Sequence, residues 1–374
     1  MPLKCHRDGE PIYSFAVESE SQWRDLKNEN SASKNLRMPC CDAGVMLRVS
    51  KLGTRHFAHA RRGPCSIAPE TAEHLLAKRV IVEGIGRTPW TADTERAGAS
   101  PELGPWIADV MASKGSSMVS FEVQWSKQSE TETRRRQERY EAAGVRGLWF
   151  FRQHDFPVDK DVPAFYLAYD AATSRFLVRL PSYAYNPEWM SARDKNDDRY
   201  WQQSIELSSF VEGALTHRLR FAPALGATLP VDVLTAETTC WRCKKDTRVV
   251  IELVFAASRR FPGCADIPLS IYELSESLPD GDAVVASMLP AELMRRHGVG
   301  AVKWRRSKIE GGAYLSNGCF HCDALQGRFF EHEFAHEAEK TFEVGRVFER
   351  AWGQRLEDAS DEIHRWWFDE SPAA

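Results

Sequence analysis

The sequence predicts an α/β protein whose middle third follows the order αβββαβ. Three observations predict it. From Met118 to Trp125 large apolar residues alternate with smaller or polar ones, the period of a strand with two different faces. Upstream, PETAEHLLAKRVIVE (Pro69 to Glu83) has the apolar spacing of a helix, with Pro69 suited to its first turn and Glu70 placed where the helix dipole favours negative charge. Downstream, Ser129 followed three residues later by Glu132 fits a capping box, so a helix starts there, runs to about Ala143 and stops at Gly144.

The remaining elements follow in order. Residues 1–66 read as a small β-rich module, with strands at Ile12–Val17 and Val45–Val49 and a polar loop at Asn28–Asn35. Residues 67–155 hold the α/β core: the first helix, strands at Thr88–Thr94, Trp106–Ala112 and Met118–Trp125, the arginine-rich helix, and a buried strand VRGLWFF at Val145–Phe151. The Gly and Pro residues of GASPELGP mark the turn between the first two strands. Asp155–Asp161 reads as a linker. Residues 156–230 carry aromatic strands, a polar DKNDDR loop and a helix around Ser204–Leu219, and residues 231–374 form a cysteine-bearing region with a C-terminal helix ending in HRWWF (His364–Phe368).

Composition bounds the function classes. At 374 residues the chain is long enough for more than one core, and 43% hydrophobic with 27% charged residues is globular. The net charge of -4 means that any nucleic-acid binding must come from a local basic surface. No run reaches membrane-spanning length and no signal segment is visible, so no membrane association is expected. Four of the nine cysteines form two CxxC pairs, which in a chain of this size favours metal over disulfides and a cytoplasmic setting.

The core collects polar residues at key places. Glu70, His74 and Lys78 recur at i, i+4 and i+8 and form one stripe of the first helix. Asp109 ends the apolar WIAD stretch in mid-strand, where an unpaired carboxylate is costly. Glu122 and Gln124 share one face of the next strand, with Phe121, Val123 and Trp125 on the other. Neighbouring strands of a hairpin lie about 5 Å apart, close enough for Asp109 and Glu122 to share a cation. Two carboxylates and a water on Mg²⁺ can attack a phosphodiester. The plainer readings are a solvated helix face for the stripe and a wet surface for the arginines.

ETAEHLLAK, WIADV and FEVQWS, followed by S-x-x-E, Arg136, Tyr140 and GLWFF, resemble the competence protein CoiA-like family of the PD-(D/E)XK nuclease superfamily. The resemblance spans roughly residues 40–325. It implies a restriction-endonuclease-like core and matches Glu70, Thr71, His74 and Lys78 to the family's helix, Asp109 to its aspartate strand, and Glu122 and Gln124 to its E-x-Q strand. It implies a nuclease acting on DNA with Mg²⁺ or Mn²⁺ held by Asp109 and Glu122. Glu70 and His74 support that site, while Gln124 and Lys78 position water and phosphate. Gln124 stands where the superfamily usually has lysine; its amide can orient water but cannot supply positive charge. Trp106 and Ile107 stand where the family often has arginine. Arg135, Arg136 and Arg139 are the expected phosphate contacts.

Cys240 and Cys243 of CWRC pair with Cys319 and Cys322 of CFHC as a tetrahedral Zn²⁺ site, with a subdomain inserted between them. A closed Cys₄ site stabilises and does not catalyse, so the region is zinc-ribbon-like. Near the N-terminus, Cys40 or Cys41, His59 and Cys65 offer a second zinc set; alternatively, His56 and His59 pack beside the core. Two other functions stay open: a DNA-binding module of nuclease fold without activity, and a zinc-bearing protein whose C-terminal half recruits a protein partner.

Overall fold

Ser19 and Gln22 bond each other's backbone reciprocally and start a helix where the sequence reading placed a polar loop. The computed structural model describes residues 2–61, 65, 70–187, 190–191, 194–223, 226–277, 280–309, 311–327, 334–347 and 364–370. Its N-terminal elements are β1 (Lys4–Arg7), β2 (Glu10–Tyr13), α1 (Glu20–Ser33), β3 (Leu36–Arg37), β4 (Val45–Val49) and β5 (Arg55–His59). β2, β1 and β3 form one small sheet, and β4 and β5 form a hairpin. Asn28–Asn35 is therefore mostly helix. Its Asn and Ser residues favour turns by propensity, but Trp23, Leu26 and Asn30 recur on one buried face. Asn30 donates its amide to the Val45 carbonyl at 2.8 Å and accepts from the Leu36 N–H at 3.2 Å. Trp23 and Leu26 pack with Cys5, Leu36, Leu47 and Phe57.

Next come α2 (Ala72–Gly86), β6 (Thr91–Ser100), β7 (Gly104–Lys114), β8 (Ser117–Gln124), α3 (Glu130–Ala142) and β9 (Val145–Phe151), the expected αβββαβ order. Thr71 caps α2, so Glu70 sits just before the helix; Pro69 lies outside the described residues. Ser129 caps α3, and Gly144 closes it with a φ of 72°. The sheet does not end at β9. β10 (Ala164–Asp170), β11 (Arg175–Pro181) and β12 (Trp201–Glu206) extend it to seven strands in the order β12-β11-β10-β9-β8-β7-β6. β8, β9 and β10 run parallel, and the other neighbours are antiparallel.

Phe121, Phe150 and Phe165 form an aromatic chain on one face that ends on Phe210 of α4 (Leu207–Leu215), and α4 packs on α2. Gly84 permits that packing: a Cβ there would lie 2.6 Å from the Ser208 carbonyl oxygen. On the opposite face Ala108, Met111 and Trp149 pack against Tyr140 of α3. The helix expected around Ser204–Leu219 begins only at Leu207, because Ser204–Glu206 belong to β12.

The chain divides into two compact units: Met1–Pro181, Tyr185–Arg220 and Phe368–Ala374 form the first, and Ser182–Ala184 with Phe221–Trp367 the second. The boundaries read at 66/67 and 155/156 thus fall inside the first unit, and that at 230/231 falls within strand Thr228–Thr239. In the second unit that strand lies between Asp246–Phe255 and Glu339–Val347, with Ile267–Leu269 at one edge. Its described residues also include three short α-helices and a hairpin of Val302–Arg306 with Ala313–Asn317. The expected C-terminal helix falls partly on 348–363, outside the described residues, and Arg365–Phe368 is a strand. Among the described residues no helix is long and apolar enough to cross a membrane.

Candidate active site and metal centres

The register across β6, β7 and β8 brings three carboxylates into one row. Thr94 lies opposite Val110 and Arg96 opposite Ala108, while Val110 lies opposite Phe121. Glu95, Asp109 and Glu122 therefore fall side by side. The ladder is interrupted here, and side chains replace backbone acceptors. The Asp109 N–H donates to Glu122 Oε1 at 3.3 Å, and the Val123 N–H donates to Asp109 Oδ2 at 2.9 Å. Glu95 has a left-handed φ of 48°, an uncommon conformation for a non-glycine residue within a strand.

The row divides between the two faces. On the α2 side, Lys78 is fully buried, with Nζ 3.1 Å from Glu70 Oε1, bonded to Glu95 Oε1 and 4.0 Å from Asp109 Oδ1. His74 Nε2 lies 3.3 Å from Asp109 Oδ2. The Leu3 N–H donates to Glu95 Oε1 at 3.1 Å, so the N-terminal module touches the same carboxylate. On the α3 side, Glu122 is buried. Oε2 pairs with Arg136, and Oε1 accepts from Tyr140 Oη at 2.6 Å and Ser120 Oγ at 2.7 Å. Arg136 also lies over the Trp149 ring, 4.9 Å from its centroid.

These contacts set the charges. Burial alone would raise the Asp109 pKa, but His74 and Lys78 hold it well below the usual carboxylate range. Burial would lower those of His74 and Lys78; the carboxylates around them reverse the sign and raise both. For Glu122 burial prevails over the pull of Arg136, and its pKa is raised.

The ligand atoms of Glu70, His74 and Asp109 lie within 4.8 Å of one another. Glu70 Oε2 is buried with no hydrogen-bond partner among the described residues, and so is Glu95 Oε2. An acceptor left unpaired in a cluster of donors is what a cation site provides, so these residues fit a divalent ion. Glu122, expected to share the cation with Asp109, lies outside that group. The interrupted ladder turns the two carboxylates to different faces. Lys78, expected to position phosphate, is instead enclosed as the counter-ion of Glu70 and Glu95. Gln124 donates its amide to the Ser126 carbonyl at 3.0 Å.

The three arginines also part company. Arg136 serves Glu122, and Arg135 pairs with Glu132 on its own helix. Arg139 has no ion pair among the described residues and lines a cleft of about 310 Å³ with Pro105, Trp106 and Ile107. Glu95, Ser120 and Tyr140 were missed as carboxylate partners. The alternation of β6 continues through Thr94 and Glu95, and Arg136 and Tyr140 share a helix face at i, i+4; those were the available signals.

Residues 70–210 match the family model described as Competence protein CoiA, nuclease-like domain. That segment is similar to the CoiA nuclease-like domain. No curated protein and no solved structure matches it. The CoiA nuclease-like segment starts at Glu70 and ends within α4 at Phe210, so it takes in all seven strands and every residue of the carboxylate row.

The cysteine sites lie outside it. Cys240 and Cys322 Sγ are 3.7 Å apart, and Cys243 and Cys319 Sγ 3.6 Å. Each CxxC knuckle adopts the same type of turn. The first cysteine's N–H donates five residues ahead (Cys240 to Lys245, Cys319 to Ala324). Its carbonyl accepts from a residue of left-handed φ, Lys244 or Asp323. Its sulfur accepts an amide two residues on, Arg242 at 3.4 Å or His321 at 3.3 Å. Four sulfurs at this spacing suit tetrahedral Zn²⁺. Residues 246–317 supply the expected insertion between the knuckles.

Proposed function

We propose that the chain is a metal-dependent nuclease that hydrolyses DNA phosphodiester bonds on a PD-(D/E)XK-type core of α2, β6–β8, α3 and β9. The observation that carries this reading is the convergence of Glu70, His74 and Asp109 beside an interrupted ladder inside the CoiA nuclease-like segment. Two carboxylates suit Mg²⁺ or Mn²⁺, and the imidazole shifts the preference towards Mn²⁺. Such an ion polarises a phosphoryl oxygen and lowers the pKa of the attacking water. Asp109 stays ionised and available as a ligand. His74 must release its proton to join the site. Lys78 neutralises Glu70 and Glu95, so that several carboxylates can be buried together. Arg139, which lines the cleft and has no ion pair among the described residues, is the arginine we assign to the DNA backbone. DNA processing in transformation, recombination or defence against foreign DNA are all compatible settings.

A specific observation favours the second reading, a DNA-binding module without activity. Both oxygens of Glu122 already accept from protein donors, Oε2 from Arg136 and Oε1 from Tyr140, Ser120 and the Asp109 amide. Incubating the protein with single- and double-stranded DNA and RNA, with and without Mg²⁺ or Mn²⁺, separates the two. Cation-dependent loss of DNA supports the nuclease. Binding without cleavage under every condition supports the module.

A further inference from the structure

We propose that Cys40, Cys41, His59 and Cys65 form a second structural zinc site, a Cys₃His site in the N-terminal module. Cys40 Sγ lies 3.6 Å from Cys41 Sγ, 3.5 Å from Cys65 Sγ and 3.6 Å from His59 Nε2, and Cys41 Sγ lies 3.1 Å from His59 Nε2. Bonds of about 2.3 Å to sulfur and 2.0–2.1 Å to nitrogen put tetrahedral ligands about 3.5–3.8 Å apart. Three of these four separations fall in that range, and the Cys41–His59 separation of 3.1 Å is shorter. The ligand atoms of all four residues lie within 4.8 Å of one another.

Adjacent cysteines are an unusual pair of ligands, and the backbone explains them. The Met38 N–H donates to the Ala43 carbonyl at 2.9 Å, and the Asp42 N–H donates to the Met38 carbonyl at 3.0 Å. Asp42 has a left-handed φ of 56°. This is the turn of the two C-terminal knuckles: first residue to the fifth beyond, and a left-handed residue bonded back to the first. Met38 occupies the place of Cys240 and Cys319, and Cys41 that of Cys243 and Cys322. The chain keeps the knuckle and its second sulfur. Its buried first position holds a methionine, and Cys40, one residue before Cys41, supplies the missing thiolate. The ion joins this turn to β5 through His59 and to Cys65.

The sulfurs are too far apart for disulfides, which need about 2.05 Å. Zinc content of the full chain purified without chelator is the test. Two ions per chain are expected. Replacing Cys41 and Cys65 together by Ser should leave one, and replacing Cys240 and Cys319 together by Ser should also leave one. One ion in the wild type that survives the Cys41/Cys65 change would overturn the proposal. Should that variant not fold, alkylation of the wild type decides. Protection of Cys40, Cys41 and Cys65 that a chelator abolishes supports the site. Equal alkylation with and without chelator, or a Cys40–Cys65 disulfide in the native protein, refutes it.

Discussion

Asp109 and Glu122 are cross-strand neighbours joined through the backbone. The Asp109 amide donates to Glu122 Oε1 at 3.3 Å, while the Asp109 carboxylate turns to His74. One carboxylate thus belongs to α2 and the other to α3. The two have opposite pKa shifts, down for Asp109 and up for Glu122.

Breaking the Glu122 pair from the arginine side should be costly. Arg136→Met leaves a buried carboxylate with only neutral donors, a loss of about 3–5 kcal/mol. Adding Glu122→Gln should restore much of it, because the charge is then gone. Denaturant unfolding of the two single variants and the double variant measures the coupling. Strictly additive losses would show that the pair is not the source.

His74 should make cation binding pH-dependent. Its pKa is raised above about 6.5, so in the metal-free protein its pairing with Asp109 stabilises fully below that value. That stability is lost as pH rises through the raised pKa. Asp109 is shifted down, so its contribution is present above about 3.9 and is lost as pH falls through its folded value. Mn²⁺ needs the neutral imidazole and must displace the proton. Affinity should therefore climb as pH rises and level off only above the raised pKa of His74, with proton release measurable by calorimetry in buffers of different ionisation enthalpy. His74→Gln should bind more weakly with a flatter profile. A flat wild-type profile would remove His74 from the ligand set.

Among the arginines, Arg139 should matter most for DNA. Arg139→Gln should weaken binding to any sequence and reduce the salt slope by about 1. Arg135→Gln, which breaks only a surface pair with Glu132, should change little. Equal effects from the two would return Arg139 to the plain surface reading.

Zinc in the Cys₄ site should hold the second unit together. Cys240→Ser should lower zinc content and expose the core around Val231, Leu253 and Phe255 to hydrogen exchange before the seven-stranded sheet opens. Exchange that is unchanged in residues 228–255 after zinc loss would contradict a structural role.

Much of this was legible in the sequence. The period-2 run of β8, the cap at Ser129 and the CxxC spacing each have a local cause, so their elements appear where expected. The carboxylate row was legible only in part. Asp109 was visible as a costly strand residue and Glu122 as a carboxylate on the neighbouring strand, but nothing local shows that the ladder between them breaks. Glu95 escaped because its strand was read as ending at Thr94. Arg136 looked like one arginine in a basic run; only the register of α3 on the sheet makes it the partner of Glu122. The extension of the sheet to β12 was hidden because Asp155–Asp161 has the composition of a linker, while pairing between β9 and β10 is a long-range fact. In α1 the capping box was present at Ser19 and Gln22, and polar composition obscured it.

We propose that Asp109, with Glu70 and His74, holds the cation for DNA hydrolysis. The most direct measurement is cleavage of DNA by wild type, Asp109→Asn and Glu122→Gln at matched purity, each with Mn²⁺, with Mg²⁺ and with chelator. The account predicts cleavage by the wild type only when a cation is present. It predicts a loss of roughly 100-fold or more in Asp109→Asn with Mn²⁺ binding abolished, and Mn²⁺ binding retained in Glu122→Gln. Cleavage by Asp109→Asn equal to wild type, or a wild type that cuts equally well in chelator, would contradict it.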